Sequence, residues 1–125
     1  MSVQALQDAM LKLPQFEPPT SHTFHAGMYL RAVEQPAGST VVGALHKVPH
    51  FFYLAVGCLA VVDGEVEEII HAPRLLCTEP GAKRALFAVS DCLYFTIHRT
   101  DTTDVESAED EMVEPDPSSP FVVGN

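Results

Sequence analysis

The spacing of apolar residues changes twice along this chain. Val3, Leu6, Met10 and Leu13 recur at intervals of three and four, the period of a helix, and Pro14 ends the run. Ser2 is placed to cap the first turn. So short a helix is marginal alone, and its apolar stripe needs a surface to pack on. The next segment, PQFEPPT, is extended and proline-rich, so residues 1–26 read as a helix and an arm.

From Gly27 the spacing becomes that of strands. The pattern predicts strands at Met28–Glu34, Thr40–Leu45, Phe51–Val56, Leu59–Val62, Val66–His71, Leu75–Thr78, Lys83–Val89 and Leu93–Arg99. Gly, Pro, Asp and Ser clusters separate them, and Asp63-Gly64 is the clearest tight hairpin. Short strands at this rhythm over residues 27–100 predict an all-β domain, a single small jelly-roll β-barrel or sandwich. Tyr53, Tyr94 and Phe52 are expected in its core. After Thr100 the period changes again. Asp104 is placed to cap a short helix with Val105, Ala108 and Met112 on one face. Pro115, Pro117 and Pro120 then lead to an apolar tip, Phe121-Val122-Val123, so residues 101–125 read as an acidic helix and a proline-rich tail.

At 125 residues the chain has the length of one domain. Its net charge of −10 is concentrated. Eight acids from Asp101 to Asp116 share a stretch without Lys or Arg, which leaves the remainder close to neutral. Nothing in this balance neutralises phosphate, which argues against nucleic acid and against anionic membrane surfaces. The N-terminus lacks a signal-peptide pattern and no apolar run approaches spanning length, so synthesis in the cytoplasm is expected. Cys58, Cys77 and Cys92 are odd in number, lie in apolar runs and show no zinc-type spacing; they read as small core residues.

Two phrases carry candidate chemistry. In HKVPHFFYLAVG, His46 and His50 flank the mouth of an apolar strand and Gly57 closes it. In EPGAKR, Arg84 follows a tight turn. A guanidinium there can clamp a carboxylate or phosphate bidentately, with His46 and His50 as further donors. It can equally pair with Glu79, Glu34 or a tail acid, and the histidines can simply hold a loop.

These phrases, with GMYLRAVEQPAGSTVVGAL before them, HAP at His71–Pro73 and FAVSDCLYFTIHRT after, resemble a cupin-like protein family of tailed bacteriophages over Gly27–Pro115. The resemblance implies a cupin jelly roll. Metal-binding cupins carry a first motif of two histidines and a glutamate before a glycine, and a further histidine after a Pro-Gly turn. Matched to those motifs, Ala44 and His46 occupy the two histidine positions, His50 the glutamate position and Arg84 the last histidine position. A metal, if bound, would take His46 and His50 with a third ligand such as His98 or His71.

Two functions follow. The first is a non-enzymatic phage virion component, a decoration or cement protein on the capsid surface. Its arms would grip the major capsid protein and sister subunits through Leu6, Met10, Leu13, Phe16, Phe121, Val122 and Val123, in a homo-oligomer whose sheet edges pair and which needs no cofactor. The second is a small-molecule cupin, a ligand sponge or an enzyme using a divalent transition metal, with His46, His50 and Arg84 at the ligand.

Overall fold

The computed structural model describes residues 3–10, 12, 17–43 and 45–112. Ala44, Leu13, Phe16, Phe121, Val122 and Val123 lie outside them. The described chain runs α1 (Val3–Met10), β1 (Thr20–His25), β2 (Met28–Gln35), β3 (Thr40–Val42), β4 (His50–Val56), β5 (Cys58–Asp63), β6 (Val66–His71), β7 (Arg74–Thr78), β8 (Arg84–Ala88), β9 (Cys92–Arg99) and α2 (Val105–Met112). The strands form two antiparallel sheets, a five-stranded one ordered β1-β2-β9-β4-β7 and a four-stranded one ordered β3-β8-β5-β6. This is a mostly β, two-sheet jelly roll with a short helix at each end.

All eight expected strands form; Val66–His71 has the expected bounds and the others shift by at most three residues at either end. The arm, however, contributes a strand of its own. β1 pairs with β2 from Thr20↔Val33 to His25↔Met28, turning at Ala26-Gly27, where both residues have positive φ (52° and 75°). TSHTFH has no run of apolar residues and Ala is an unusual residue for a left-handed turn, so neither signal stood out. The hairpin at Asp63-Gly64 is displaced by one residue. Asp63 pairs with Val66 and the turn is Gly64-Glu65, with Gly64 at φ 64°, so glycine takes the first central position. Gly57, between β4 and β5, is constrained twice over. Its φ is 100°, and a Cβ there would lie 2.4 Å from the Asp91 carbonyl oxygen.

Strand parity aims Val33, Phe52, Leu54, Leu59, Val61, Ile70, Leu86, Ala88 and Tyr94 into the space between the sheets. Phe52 and Tyr94 meet there with ring centroids 4.9 Å apart, while Tyr53 points outward and stacks on Phe95 at 6.3 Å. Gln35 braces this end. It accepts from the Tyr94 hydroxyl at 2.8 Å and donates to the Leu86 carbonyl at 2.9 Å. α1 lies on the outside of the four-stranded sheet, where Val3 joins Val42 and Ala85, with Leu6, Met10 and Val62 packed against them. Leu6 and Met10, expected to grip a partner, therefore touch their own barrel. Among the cysteines, Cys92 is buried but Cys77 is exposed, because it falls on the outward parity of β7.

α2 begins as the sequence predicts. Asp104 caps it, its carboxylate accepting from the Ser107 amide at 3.0 Å and the Ser107 hydroxyl at 2.8 Å. Ala108 is fully buried beneath it and Glu111 accepts from the Thr100 hydroxyl at 2.8 Å. The acidic helix thus returns to its own barrel.

Candidate functional site

The inward rows change character part-way along each strand. On β9 they run Cys92, Tyr94, then Thr96 and His98; on β2, Gln35 and Val33, then Arg31 and Tyr29. β4 adds Phe52 and then His50, β7 adds Thr78, and β8 passes from Leu86 to Arg84. Register brings the polar members together. Arg31 pairs with Thr96, Tyr29 with His98, His50 with Thr78, and Arg84 with Asp63. One end of the barrel interior is therefore apolar and the other polar.

The two phrases singled out in the sequence meet at the polar end. The His46 amide donates to the Ala82 carbonyl and the Gly81 amide to the His46 carbonyl, both at 2.9 Å. This backbone pairing ties the His46 segment to the Pro80-Gly81 turn, and the His46 and His50 rings lie 4.4 Å apart, tilted by 34°. His46 Nδ1 is buried without a hydrogen-bond partner among the described residues, whereas His50 Nδ1 has a long 3.5 Å contact to the Val48 carbonyl. Arg84 donates through Nη1 to the Thr78 hydroxyl at 2.7 Å and through Nε to the Asp63 carboxylate at 3.4 Å. Among the described residues its ion-pair partner is Asp63, rather than Glu79 or Glu34; the tail acids Glu114 and Asp116 lie outside them.

Arg31 is the residue the sequence reading missed. It is 2% exposed, inside the barrel, among groups whose charge it affects: Tyr29, Tyr94, His46, His50, His98 and Glu109. An arginine stays charged even when burial lowers its pKa, so this end carries a desolvated positive charge. The signal was parity. Arg31 shares the inward row with Tyr29 and Val33, but Met28, Leu30 and Ala32 on the opposite row look more like a core face.

Burial and cations keep the histidines neutral. Burial, followed by His50 and the charges of Arg84 and Arg31, pushes His46 down to about 3. Burial pushes His50 down to about 4; the Val48 carbonyl opposes this shift and Arg84 adds to it. His98 is also lowered by burial, with Glu111 and the Ala108 carbonyl opposing. Its ring meets Tyr29 edge-on, centroids 5.4 Å apart, and neither ring nitrogen has a hydrogen bond of ordinary geometry among the described residues. Tyr29 in turn bonds His22 of β1. A cleft of about 630 Å³ lined by Val48, Pro49, His98, Thr100 and Glu111, among others, adjoins this end.

The donor set does not fit the metal site that the sequence motifs imply. Among the described residues no group of three or more His, Cys, Asp or Glu is placed to hold an ion. His71 is exposed on β6, and Arg84 stands where a ligand would be. Arg31 and Arg84 also place positive charge where a dication would sit, which opposes its binding.

No family model matches the chain, and no curated protein does. Solved structures do. A cupin-2 domain protein from Shewanella frigidimarina covers 75% of this chain and 91% of its own, with a TM-score of 0.56 and 12% identity. The fold is that of the cupins. Acetylacetone dioxygenase from Acinetobacter johnsonii is similar over 64% of this chain and 58% of its own (TM-score 0.55, 18% identity). Salicylate 1,2-dioxygenase from Pseudoaminobacter salicylatoxidans is similar over 88% of this chain but 33% of its own (TM-score 0.61, 12% identity). At such identities the likeness is one of fold alone. None of these likenesses links the chain to bacteriophages.

Proposed function

We propose that this cupin domain binds a small organic anion, a carboxylate-bearing molecule, at the polar end of its barrel and performs no metal-dependent reaction there. The buried Arg31 carries the reading. A fold of this size gains nothing from a desolvated guanidinium that well-packed apolar side chains of similar volume would not supply. Placed among neutral histidines and Arg84, it forms a donor-rich, low-dielectric pocket suited to a carboxylate. Neutral imidazoles contribute N–H donors without repelling the arginines. The adjoining cleft supplies a route from solvent.

The experiment is a panel of small mono- and dicarboxylates, with inorganic phosphate, titrated against protein carrying ¹⁵N-labelled histidine. Saturable shifts at His46, His50 and His98, weakened at least tenfold in Arg84→Gln, support the site. Unmoved imidazoles across the panel reject it.

A second reading keeps the virion role: a capsid-surface component that binds the major capsid protein and sister subunits. The sequence resemblance supports it, as does an outer sheet face of exposed apolar side chains, including Phe51 and Leu75, suited to protein contact. Peptide mass spectrometry of purified particles tests it; absence of the chain from them removes this reading.

A further inference from the structure

The outer face of the five-stranded sheet reads as a core face with no described element covering it. Its central row runs Leu30, Ile97, Phe51 across β2, β9 and β4, and the next row runs Ala32, Phe95, Tyr53 and Leu75 through to β7. These side chains sit on the parity opposite to Arg31, Thr96 and His98, and on β2 and β9 they are the more apolar of the two rows. Phe51 is 49% exposed and Leu75 53%. On the other sheet α1 covers Val42 and Ala85 on the outside, while Phe87 and Ile69 stay exposed beyond it, so the uncovered apolar area there is smaller.

We infer that this face is a two-fold interface with a second copy of the same chain. Size is the first argument. Five strands of five to eight residues give a flat footprint of about 500 Å² at ~4.8 Å between strands and ~3.3 Å per residue. Projecting side chains add to this, which brings the face near the ~800 Å² per partner that stable complexes bury. Charge is the second argument. On β2 and β9 the outward rows hold two charged residues, Glu34 and Arg99, at opposite ends of neighbouring strands: Glu34 lies opposite Leu93, and Arg99 opposite Met28. A two-fold axis lying in the interface across the strands turns one end of the sheet onto the other. It brings Arg99 of each copy beside Glu34 of its mate, so the two rim pairs form together and the centre remains apolar. Face packing also leaves the polar mouth of the barrel open.

Sedimentation velocity on the full chain at micromolar concentration tests this, with far-UV circular dichroism and thermal melting as controls for folding. The wild type is expected to be a dimer, and Phe51→Asp with Leu75→Asp, both at exposed positions, a folded monomer. Glu34→Arg and Arg99→Glu should each weaken association at least tenfold, and the double exchange should restore it. If the aspartate variant fails to fold, the charge exchange decides. A monomeric wild type overturns the inference. So does a dimer indifferent to the Phe51 and Leu75 substitutions, or charge variants that fail to rescue one another.

Discussion

At one end of the barrel interior β9 presents Tyr94, β4 Leu54 and β8 Ala88, all essentially buried; further along the same strands stand His98, His50 and Arg84. Backbone, register and sheet are shared, and only the side chains differ. The apolar end is where folding free energy is gained, at ~25 cal/mol per Å² removed from water. The polar end gains much less. Its histidines are held neutral, its arginine is desolvated, and the buried Nδ1 of His46 has no hydrogen-bond partner among the described residues. On the proposed reading, polar groups buried at such a disadvantage are kept for what they bind rather than for what they stabilise.

The comparison can be broken by truncation. Leu54→Ala, at a fully buried position of the apolar end, should lower stability by about 3–5 kcal/mol in urea unfolding, since it leaves a cavity in a rigid wall. Thr78→Val at the polar end removes one hydrogen bond to Arg84 and should cost about 1 kcal/mol. Equal costs at the two positions would erase the distinction. Next in size is Gly57→Ala. It adds a Cβ at positive φ against the Asp91 carbonyl and should cost ~2–3 kcal/mol without changing ligand binding.

Acid should act on the polar end first. His46 and His50 have folded-state pKa values of about 3 and about 4, below the ordinary 6.5, so between those values the unfolded chain binds protons that the folded chain refuses. Stability is then fully present above pH 6.5 and falls as pH drops towards 4, by at most ~1.4 kcal/mol per pH unit for each histidine. Chemical denaturation at pH 7, 6 and 5 measures the slope, and His50→Asn should flatten it. A slope unaffected by that change would show that the histidine titrates normally. The smallest effect is expected at Glu109, the carboxylate of α2 whose charge reaches Arg31. Glu109→Gln should raise carboxylate affinity a few-fold by removing an internal competitor for the guanidinium, as isothermal titration would read; weaker binding would contradict that role.

Most of the strand order was legible because each apolar run is bounded by Gly, Pro or Asp. β1 was not, since an edge strand of Ser, Thr and His needs no apolar signal. The site was half legible. His46, His50 and Arg84 stood out because they occupy motif positions, and the backbone pairing of His46 with the Gly81 turn brings those two phrases to one end of the barrel. Arg31 was hidden by alternation. In MYLRAVEQ and CLYFTIHR the outward row is the more hydrophobic, so parity read from hydropathy alone points the wrong residues inward. Which sheet face is buried depends on what packs against each, and a single chain does not carry that information in its alternation.

The most direct test follows the imidazole ¹⁵N resonances of His46 and His50 from pH 7 to pH 4, with and without a saturating small carboxylate. Without it both rings should stay neutral down to near pH 4; with it their protonation should move up towards pH 6, because an anion held beside them favours the charged ring. Titration curves that are identical with every carboxylate tried would contradict an anion site at the polar end of this barrel.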